Sequence, residues 1–367
     1  MTPLDAVIRD TIRKTGPIPV SDFMAIALGH PEHGYYRKAD PLGAAGDFIT
    51  APEISQIFGE IIGLWAAVTW QQAGAPSPVR LVELGPGRGT LMADALRAAN
   101  GVGGFAAAVE VHLVETSPIL RDRQRQALPK FQVEWHESLS DIPAGPAIII
   151  ANEFFDALPT DQYVRTQEGW SERRIDINDP GDCLTYRVTE DAPPAGTIPS
   201  ELAEAPVGSV FEHSPNREAE CAALGRRLVA DGIAALIIDY GHALPGIGET
   251  LQAVRRHRPH DVLSDAGEVD LTTHVDFAAL ANAARGVGAR IWGPLPQGAF
   301  LTALGAEQRT ETLAAVALPD QAAILRTGLK RLIAADGMGT LFKVMALTGA
   351  DAPPPAGFEA TNMILSE

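Results

Sequence analysis

The stretch LVELGPGRGTL, residues 81–91, places three glycines directly after a short apolar run that surrounds one carboxylate. The apolar run indicates a buried strand, and Gly85, Gly87 and Gly89 let the backbone turn tightly and approach a ligand without a Cβ clash. A helix is predicted next, over residues 90–99. A helix N-terminus after such a turn offers unpaired N–H groups and a positive dipole end. The chemistry predicted here is the binding of a nucleotide-like cofactor.

Two cofactors are compatible with a glycine turn of this kind. A dinucleotide-binding fold uses G-x-G-x-x-G, whereas Thr90 stands here where the third glycine would come. The pattern acidic-x-G-x-G-x-G, which begins at Glu83, resembles the first motif of S-adenosylmethionine-dependent methyltransferases. There the turn lies against the methionine part and the ribose of the cofactor. The pattern favours S-adenosylmethionine, and the cofactor-binding residues predicted in it are Glu83, Gly85, Pro86, Gly87 and Gly89.

Acidic residues at the ends of the next two predicted strands support the same cofactor. The strand over residues 109–115 ends at Glu115, whose carboxylate can accept hydrogen bonds from both ribose hydroxyls. The strand over residues 131–137 ends at Glu137, and Glu137-Ser138 stands at the position where such folds contact the adenine. We therefore assign Glu115 to the ribose, and Glu137 and Ser138 to the base.

These positions require a sheet whose strands run parallel and end at one edge. From residue 79 onward strands and helices alternate, which predicts βαβ units. The strands predicted beyond the glycine turn cover residues 109–115, 131–137, 147–153, 234–241, 288–293 and 340–347. A helix is predicted over residues 216–231. Residues 161–190 alternate apolar and polar side chains as antiparallel strands do. After the predicted strand 234–241, a flexible stretch is predicted to extend to about residue 270.

The predicted fold class is α/β: a Rossmann-like class I methyltransferase with a seven-stranded, mostly parallel sheet, a helical N-terminal region and an antiparallel insertion. Helical spacing of apolar residues over 3–15 and 54–72 predicts the N-terminal helices. The predicted segments are an N-terminal helical and lid region at 1–78, the first half of the cofactor domain at 79–160, a substrate-side insertion at 161–215 and the second half of the domain at 216–367.

The composition excludes several classes of protein. The chain has 29 lysines and arginines against 46 aspartates and glutamates, a net charge of −17, which argues against nucleic acid as the main partner. Cys183 and Cys221 are the only cysteines, so neither a disulfide framework nor a metal site is predicted. The N-terminus lacks the apolar run of a signal peptide, and no stretch approaches the roughly 18 apolar residues of a membrane span. The predicted location is the cytoplasm, and the oligomeric state is left open.

Five segments of the chain, in this order, resemble the MidA-like family of S-adenosylmethionine-dependent methyltransferases. They are GDFITAPEISQIFGE (46–60), ELGPGRGTL (83–91), ANEFFDALP (151–159), IDYGH (238–242) and LTTHVDF (271–277). The resemblance extends over about residues 17–350. Mitochondrial members of this family are complex I assembly factors that methylate an arginine. The resemblance therefore implies symmetric dimethylation of an arginine on the complex I subunit of about 49 kDa. The Ala-, Gly- and Pro-rich composition and the absence of a targeting segment favour a bacterial, cytoplasmic relative.

An enzyme that methylates arginine needs carboxylates, because the guanidinium stays protonated and is a poor nucleophile. Carboxylates can hold the guanidinium bidentately, and one of them can accept the proton that is lost. Glu153 and Asp156 follow the fourth strand, at the edge where open α/β sheets bind ligands. They resemble the two-acid loop of arginine methyltransferases, and His274 resembles the histidine of a second loop. These three residues are predicted to be catalytic, and Asn152 to lie at the cofactor.

Each of these assignments has a structural alternative. Asp156 can cap the next turn, Glu153 can be solvated, and His274 can pack at a helix N-terminus. Asp239, at the end of the fifth strand, can line the pocket or be satisfied within the sheet. Tyr35 and Tyr36 can cover the cofactor or pack in the core.

The loop GDFITAPE, which ends at Glu53, is predicted to form a lid over the methionine end of the cofactor. Asp47, Thr50 and Glu53 are its polar residues, and Thr50 is assigned to the cofactor site. The structural alternative is that Thr50 or Glu53 caps the helix that follows.

Three functions remain open at this point. The resemblance favours a protein arginine methyltransferase that acts on a complex I subunit. A methyltransferase for a small amine or another protein side chain is the enzymatic alternative. An assembly chaperone that binds the cofactor without catalysis is the alternative from another class of protein.

Overall fold

The computed structural model describes residues 2–38, 50–178, 180 and 183–359. Its helices are α1 (Pro3–Thr15), α2 (Val20–Gly29), α3 (Tyr35–Lys38), α4 (Ala51–Ile54), α5 (Gln56–Gln72), α6 (Thr90–Ala99), α7 (Phe105–Ala108), α8 (Pro118–Ala127), α9 (Pro215–Asp231), α10 (Phe277–Arg285), α11 (Gln297–Ala303), α12 (Ala306–Ala314), α13 (Pro319–Ile333) and α14 (Met338–Leu341). Its strands are β1 (Ile18–Pro19), β2 (Val79–Leu84), β3 (Val109–Val114), β4 (Val133–His136), β5 (Ala147–Asn152), β6 (Asp161–Arg165), β7 (Trp170–Ile177), β8 (Leu184–Val188), β9 (Val210–His213), β10 (Ile233–His242), β11 (Gln252–Arg255), β12 (Arg258–His260), β13 (Asp270–Thr272), β14 (Val275–Asp276), β15 (Arg290–Pro296) and β16 (Phe342–Thr348).

The chain divides into two units, each assembled from three segments. The large unit comprises Ile49–Phe155, Glu220–Ala243 and Ala279–Glu367, and the small unit comprises Met1–Phe48, Asp156–Ala219 and Leu244–Ala278. The segments predicted from the sequence are consecutive instead. One consequence is that α5 belongs to the large unit, although it lies before the predicted cofactor domain.

The large unit is built on a mixed sheet with the strand order β15-β16-β10-β5-β2-β3-β4. Strands β10, β5, β2, β3 and β4 are parallel to their neighbours in this order, and β16 runs antiparallel to both β10 and β15. Strand β5, AIIIAN, is buried along its whole length, as expected of a parallel strand covered on both faces. The parallel strands therefore end at one edge, which is where the predicted cofactor residues stand.

Helices α5 and α6 pack closely because α5 carries glycine at two contact positions. A Cβ on Gly59 would lie 2.6 Å from the Asp94 Cβ, and one on Gly63 would lie 2.3 Å from the Ala95 carbonyl oxygen. Helix α6 begins at the glycine turn and spans residues 90–99, as predicted. The contact with α5 therefore supports the helix whose N-terminus faces the predicted cofactor site.

The small unit has its own apolar core and two antiparallel sheets. One sheet has the order β1-β7-β6-β9, with β8 paired to β7, which confirms antiparallel strands within residues 161–190. The other has the order β12-β11-β13. Helix α1 packs its buried Leu4 and Ile8 into this core and begins at a capping box formed by Thr2 and Asp5.

Part of the stretch predicted to be flexible up to residue 270 is ordered as the sheet β12-β11-β13, so that prediction is wrong. Arg255 lies opposite Arg258, and Arg256 and His257 form the turn between them. Both turn residues have positive φ, 51° and 60°. Because such turns usually contain Asn or Gly, an Arg-His turn lacks the sequence signal of a hairpin.

No helix among the residues described is both long and apolar enough to cross a membrane.

Candidate functional site

The glycine turn follows β2 as a tight backbone loop. Gly85, Gly87 and Gly89 have φ values of 61°, 53° and 82°, in the left-handed region that favours glycine. The Gly85 N–H donates to the Val114 carbonyl and the Gly89 N–H to the Pro86 carbonyl. A Cβ on Gly85 would lie only 3.0 Å from Cδ2 of Phe154. The turn is therefore restricted to glycine by its conformation and, at Gly85, by the ring beside it.

Two buried acceptors stand at the carboxyl ends of adjacent parallel strands. Glu83, near the end of β2, is 3% exposed, and Asn152 ends β5. Among the residues that the structure describes, Glu83 Oε2 and Asn152 Oδ1 have no hydrogen-bond partner. A buried unpartnered acceptor costs about 1–3 kcal/mol, so these atoms suit a ligand that brings donors or positive charge. S-adenosylmethionine has both, in its ammonium and its sulfonium.

Burial also changes the ionisation of Glu83. Loss of solvation raises the pKa of this carboxyl to about 8, opposed by a backbone hydrogen bond from Met92. The side chain is therefore mostly neutral at pH 7 before a cation approaches it. A bound cation would favour its ionised form.

Glu115, the residue predicted to bind the ribose, lies just after β3 and is held by protein donors. Its Oε1 accepts from the Ser117 N–H at 2.7 Å, and its Oε2 accepts from Gln124 Nε2 at 3.2 Å. Burial raises the pKa of this carboxyl, and these hydrogen bonds oppose the shift. Each oxygen has a second lone pair, so the carboxylate can still accept from a ligand.

Gln124 belongs to this site but is not among the residues predicted from the sequence. It is fully buried on α8, and its Nε2 donates both to Glu115 and to the Gly87 carbonyl at 2.7 Å. Its Oε1 accepts from Trp135 Nε1 at 2.8 Å. The side chain thus joins the glycine turn, the predicted ribose acid and β4. Its sequence signal is a polar residue on the buried face of α8, four positions after Leu120 and four before Leu128, the residue that follows the helix.

The two residues assigned to the adenine have different environments. Glu137 is exposed. Ser138 forms a capping box with Asp141, to which both its backbone N–H and its hydroxyl donate at 2.9 Å. The Ser138 hydroxyl therefore has a structural role, and contact of either residue with adenine stays a prediction.

Glu153 follows β5 with a strained backbone. Its φ is 49°, a left-handed conformation that is uncommon for a residue with a side chain and is found more often at functional sites. The Glu153 N–H donates to the Ile238 carbonyl at 2.9 Å. Its carboxylate Oε1 accepts from the Ala51 N–H at 2.9 Å and from Asn152 Nδ2 at 3.2 Å. The carboxylate is thus fixed beside Asn152 and the first residue of α4.

The described part of the predicted lid contacts the glycine turn through Glu53. Glu53 Oε1 accepts from the Thr90 hydroxyl at 2.5 Å, and Oε2 lies 3.8 Å from Arg88 Nη1. Thr50 is the N-terminal cap residue of α4, but its side chain makes no capping hydrogen bond. Asp47 lies outside the described residues.

Asp239 adopts its structural alternative. It is fully buried, and its carboxylate accepts from the N–H groups of Phe155 and Tyr240 at 3.0 and 2.9 Å. These bonds hold the end of β10 to the segment that follows β5.

Asp156 and His274 belong to the small unit, where a buried arginine holds both of their backbones. Arg217 Nη2 donates to the Asp156 carbonyl at 2.9 Å, and Nη1 donates to the His274 carbonyl at 2.7 Å. Arg217 also donates to the Thr273 carbonyl at 3.2 Å. Arg217 is not among the residues predicted from the sequence. Its signal there is a charged residue at the start of the apolar stripe Cys221, Leu224 and Leu228 on α9.

The tyrosines of α3 also lie in the small unit. Tyr35 is buried in its core. The Tyr36 hydroxyl donates to Asp270 Oδ1 at 3.0 Å, and burial together with the nearby charges of Asp270 and Asp156 raises the pKa of Tyr36 well above its usual value. Tyr35 therefore packs in the core, as its structural alternative states. Tyr36 instead places a hydroxyl beside the carboxylates of Asp270 and Asp156.

One group in the described part of the chain has the composition of a metal site. His112, Glu134 and His136 lie on the neighbouring strands β3 and β4. His112 Nδ1 is 2.9 Å from His136 Nε2, a hydrogen-bond distance. Burial lowers the pKa of both imidazoles, which favours a neutral hydrogen-bonded pair. This pair gives the two histidines a structural role in joining the strands.

Known proteins similar to this chain agree with the chemistry of the site. The family model described as "Putative S-adenosyl-L-methionine-dependent methyltransferase" matches residues 61–295. The chain is 38% identical over 370 residues to "Protein arginine methyltransferase NDUFAF7 homolog, mitochondrial" of Drosophila melanogaster, covering 93% of this chain and 83% of that protein. It is 36% identical over 339 residues to the human "Protein arginine methyltransferase NDUFAF7, mitochondrial", covering 85% and 76%.

A solved structure extends the similarity to the fold and the ligand. A protein from Burkholderia thailandensis, crystallised with S-adenosyl-homocysteine, matches with a TM-score of 0.83 and 30% identity over 97% of this chain and 94% of that one. The predicted class I methyltransferase fold, the cofactor S-adenosylmethionine and the enzyme class are thereby confirmed. The chain belongs to the MidA-like family of S-adenosylmethionine-dependent methyltransferases.

Proposed function

We propose that this methyltransferase modifies an arginine side chain of a protein, and that the protein is a subunit of respiratory complex I. The names of the relatives support arginine as the target. Symmetric dimethylation, a role in complex I assembly and a cytoplasmic location in a bacterium are parts of the same proposal. The observation that carries it is the Glu153 carboxylate, fixed at the end of β5 on a strained backbone.

The cofactor residues of the large unit have distinct tasks in this proposal. S-adenosylmethionine supplies an electrophilic methyl group on a sulfonium. Glu83 and Asn152 would accept from the cationic end of the cofactor, because their oxygens are buried and have no partner among the described residues. Glu115 would hold the ribose, and the glycine turn would let the backbone approach the ligand closely.

Glu153 would bind the guanidinium of the substrate. A carboxylate held by two donors is pre-oriented, so little entropy is lost when it accepts the N–H groups of an arginine. Its negative charge would hold the positive charge of the guanidinium away from the attacking nitrogen. Catalytic roles for Asp156 and His274 remain part of the proposal, and Arg217 would act as a positioning residue for the segments that carry them.

The test is the substitution Glu153→Gln. Glutamine keeps the size and an oxygen that can accept from the Ala51 N–H, but it carries no charge. We expect the affinity for S-adenosyl-homocysteine to stay within about twofold, and methyl transfer to fall by about a hundredfold, the low end for losing a positioned charged group. Calorimetry measures the affinity, and methyl incorporation into the purified subunit, with mass spectrometry of the product, measures transfer.

Glu110→Gln is the matched control, because Glu110 is an exposed carboxylate on β3. Transfer by Glu153→Gln at the rate of this control would remove Glu153 from the mechanism. If the wild-type enzyme binds the cofactor but methylates only small amines, or nothing, the alternative methyltransferase or the chaperone replaces the proposal.

A further inference from the structure

The hairpin of β11 and β12 concentrates positive charge in an acidic chain. Its residues 255–260, RRHRPH, include three arginines and two histidines and no acidic residue, whereas the whole chain has a net charge of −17. We call these six residues the basic hairpin. Its three arginines are the local exception to the overall charge.

The backbone of the basic hairpin is strained where its charges are presented. Arg256 and His257 are exposed and occupy the left-handed region, with φ of 51° and 60°. That conformation costs about 1–2 kcal/mol for each residue that carries a Cβ. Glycine or asparagine would form the same turn with less strain. Strain of this kind is typical of ligand-binding segments, where the side chain that is displayed matters more than the local stability.

A cavity of about 620 Å³, widely open to solvent, lies at the basic hairpin and is lined by Arg255, Arg256, Arg258, Pro259 and His260. Asp265 compensates one side of it, because its Oδ2 lies 2.7 Å from Arg255 Nη1 and 3.3 Å from His260 Nε2. Arg258 is exposed, and no carboxylate of the residues described forms an ion pair with it. Arg258 therefore contributes positive charge to the cavity that no carboxylate of the described residues compensates.

The lining indicates how a ligand would be recognised. Pro259 lies on β12, an outer strand of its sheet, and has no N–H to pair with an added strand. The cavity lining, as far as the structure describes it, includes no Trp, Tyr or Phe on which a nucleic-acid base could stack. Guanidinium groups that bind carboxylates through paired N–H donors remain as the means of recognition.

The basic hairpin shares its sheet with the loop that carries His274. Strand β13 pairs with β11 and ends at Thr272, two residues before His274. Thr250, two residues before β11, accepts a hydrogen bond from the His274 N–H at 2.8 Å. A ligand held by the hairpin is therefore bound by the same small sheet that positions a predicted catalytic loop.

We propose that the basic hairpin is a docking site for an acidic segment of the protein substrate, bound through its carboxylates by Arg256 and Arg258. This proposal rests on the proposed function in one respect, namely that the substrate is a protein.

The experiment measures docking without the reaction. The probe is a fluorescein-labelled octaglutamate peptide, and its binding to the full chain is followed by fluorescence anisotropy. The test variant carries Arg256→Gln and Arg258→Gln, and the matched control carries Arg285→Gln and Arg331→Gln, two exposed arginines elsewhere with the same change in net charge. We expect the test variant to bind about fivefold more weakly, as for the loss of two exposed ionic contacts, and the control to bind like the wild type.

The outcomes separate this proposal from the proposed function. The docking proposal would be overturned if the test variant bound octaglutamate as tightly as the wild type does. It would also be overturned if the wild type bound octaglutamine as tightly as octaglutamate. Binding of a single-stranded RNA through the same arginines, tighter than that of octaglutamate, would overturn it as well. The same holds for inorganic phosphate, tested at the concentration of the peptide. Methylation of the purified subunit should show a raised KM and an unchanged kcat in the test variant. If no variant methylates the subunit, the proposed function fails while the anisotropy still decides docking.

Discussion

Glu83 shows what a single buried carboxyl costs the fold. It is 3% exposed, and burial raises its pKa to about 8. The folded chain therefore keeps this proton at pH values where the unfolded chain, with an ordinary pKa of 4.5, has lost it. Stability contributed by this group consequently falls as the pH rises from about 4.5 to about 8, and it is constant above that range.

Glu83→Gln should remove this pH dependence. We expect the variant to gain stability relative to the wild type, and to gain more at pH 8 than at pH 5, by on the order of 3 kcal/mol. Urea unfolding at the two pH values measures the difference, with Glu110→Gln as the surface control. A gain that is the same at both pH values would show that Glu83 is ionised in the folded chain without its ligand.

At the scale of elements, α8 positions the cofactor site through one side chain. Gln124 joins Gly87, Glu115 and Trp135 by three hydrogen bonds, and a Cβ on Gly89 would lie 3.3 Å from the Gln124 Cα. The helix therefore packs directly against the glycine turn. Its buried amide keeps the turn and the predicted ribose acid at a set distance from each other.

Gln124→Leu should weaken cofactor binding without unfolding the chain. Leucine has a similar volume but leaves the Trp135 N–H without its acceptor and Glu115 Oε2 without the Gln124 donor, at a cost of about 1–3 kcal/mol for each buried group. We expect a loss of affinity for S-adenosyl-homocysteine of about tenfold or more, measured by calorimetry. Gln126→Leu, on the exposed face of the same helix, is the control. An affinity equal to that of the control would remove Gln124 from the site.

At the scale of the whole molecule, the two units have separate cores and different numbers of tryptophans, which report unfolding by their fluorescence. Four of the five tryptophans, Trp65, Trp70, Trp135 and Trp292, belong to the large unit, and Trp170 belongs to the small one. Tryptophan fluorescence therefore reports mainly on the unit that contains the glycine turn. Binding to the folded state alone stabilises that state by mass action.

S-adenosyl-homocysteine should accordingly raise the free energy of unfolding followed by this fluorescence. The expected gain is about 2.7 kcal/mol at a ligand concentration of 100 times Kd. Gly87→Val should abolish the gain, because valine is strained at the φ of 53° and its side chain would obstruct the approach of backbone to ligand. Circular dichroism checks that this variant is folded. A wild-type gain in Gly87→Val would contradict the assignment of the turn.

Much of the large unit follows from the sequence by itself. The apolar run AIIIAN, the acidic-x-G-x-G-x-G pattern and the helix at residues 90–99 are local signals, because a buried strand, a glycine turn and an amphipathic helix each depend on neighbours in the chain. The cofactor was predictable for the same reason. The basic hairpin was not, since Arg256 and His257 adopt a turn for which their residue types give no signal.

Only the tertiary structure decided which of the site's polar groups have hydrogen-bond partners within the protein and which can accept from a ligand. The sequence places Glu83, Glu115 and Asn152 at strand ends, but their burial depends on how strands and helices pack around them. Gln124 reaches Gly87 across 37 positions, and Arg217 reaches Asp156 across 61. A hydrogen bond between distant residues leaves no periodic trace in the sequence, because it depends on how elements pack and not on the order of neighbouring residues.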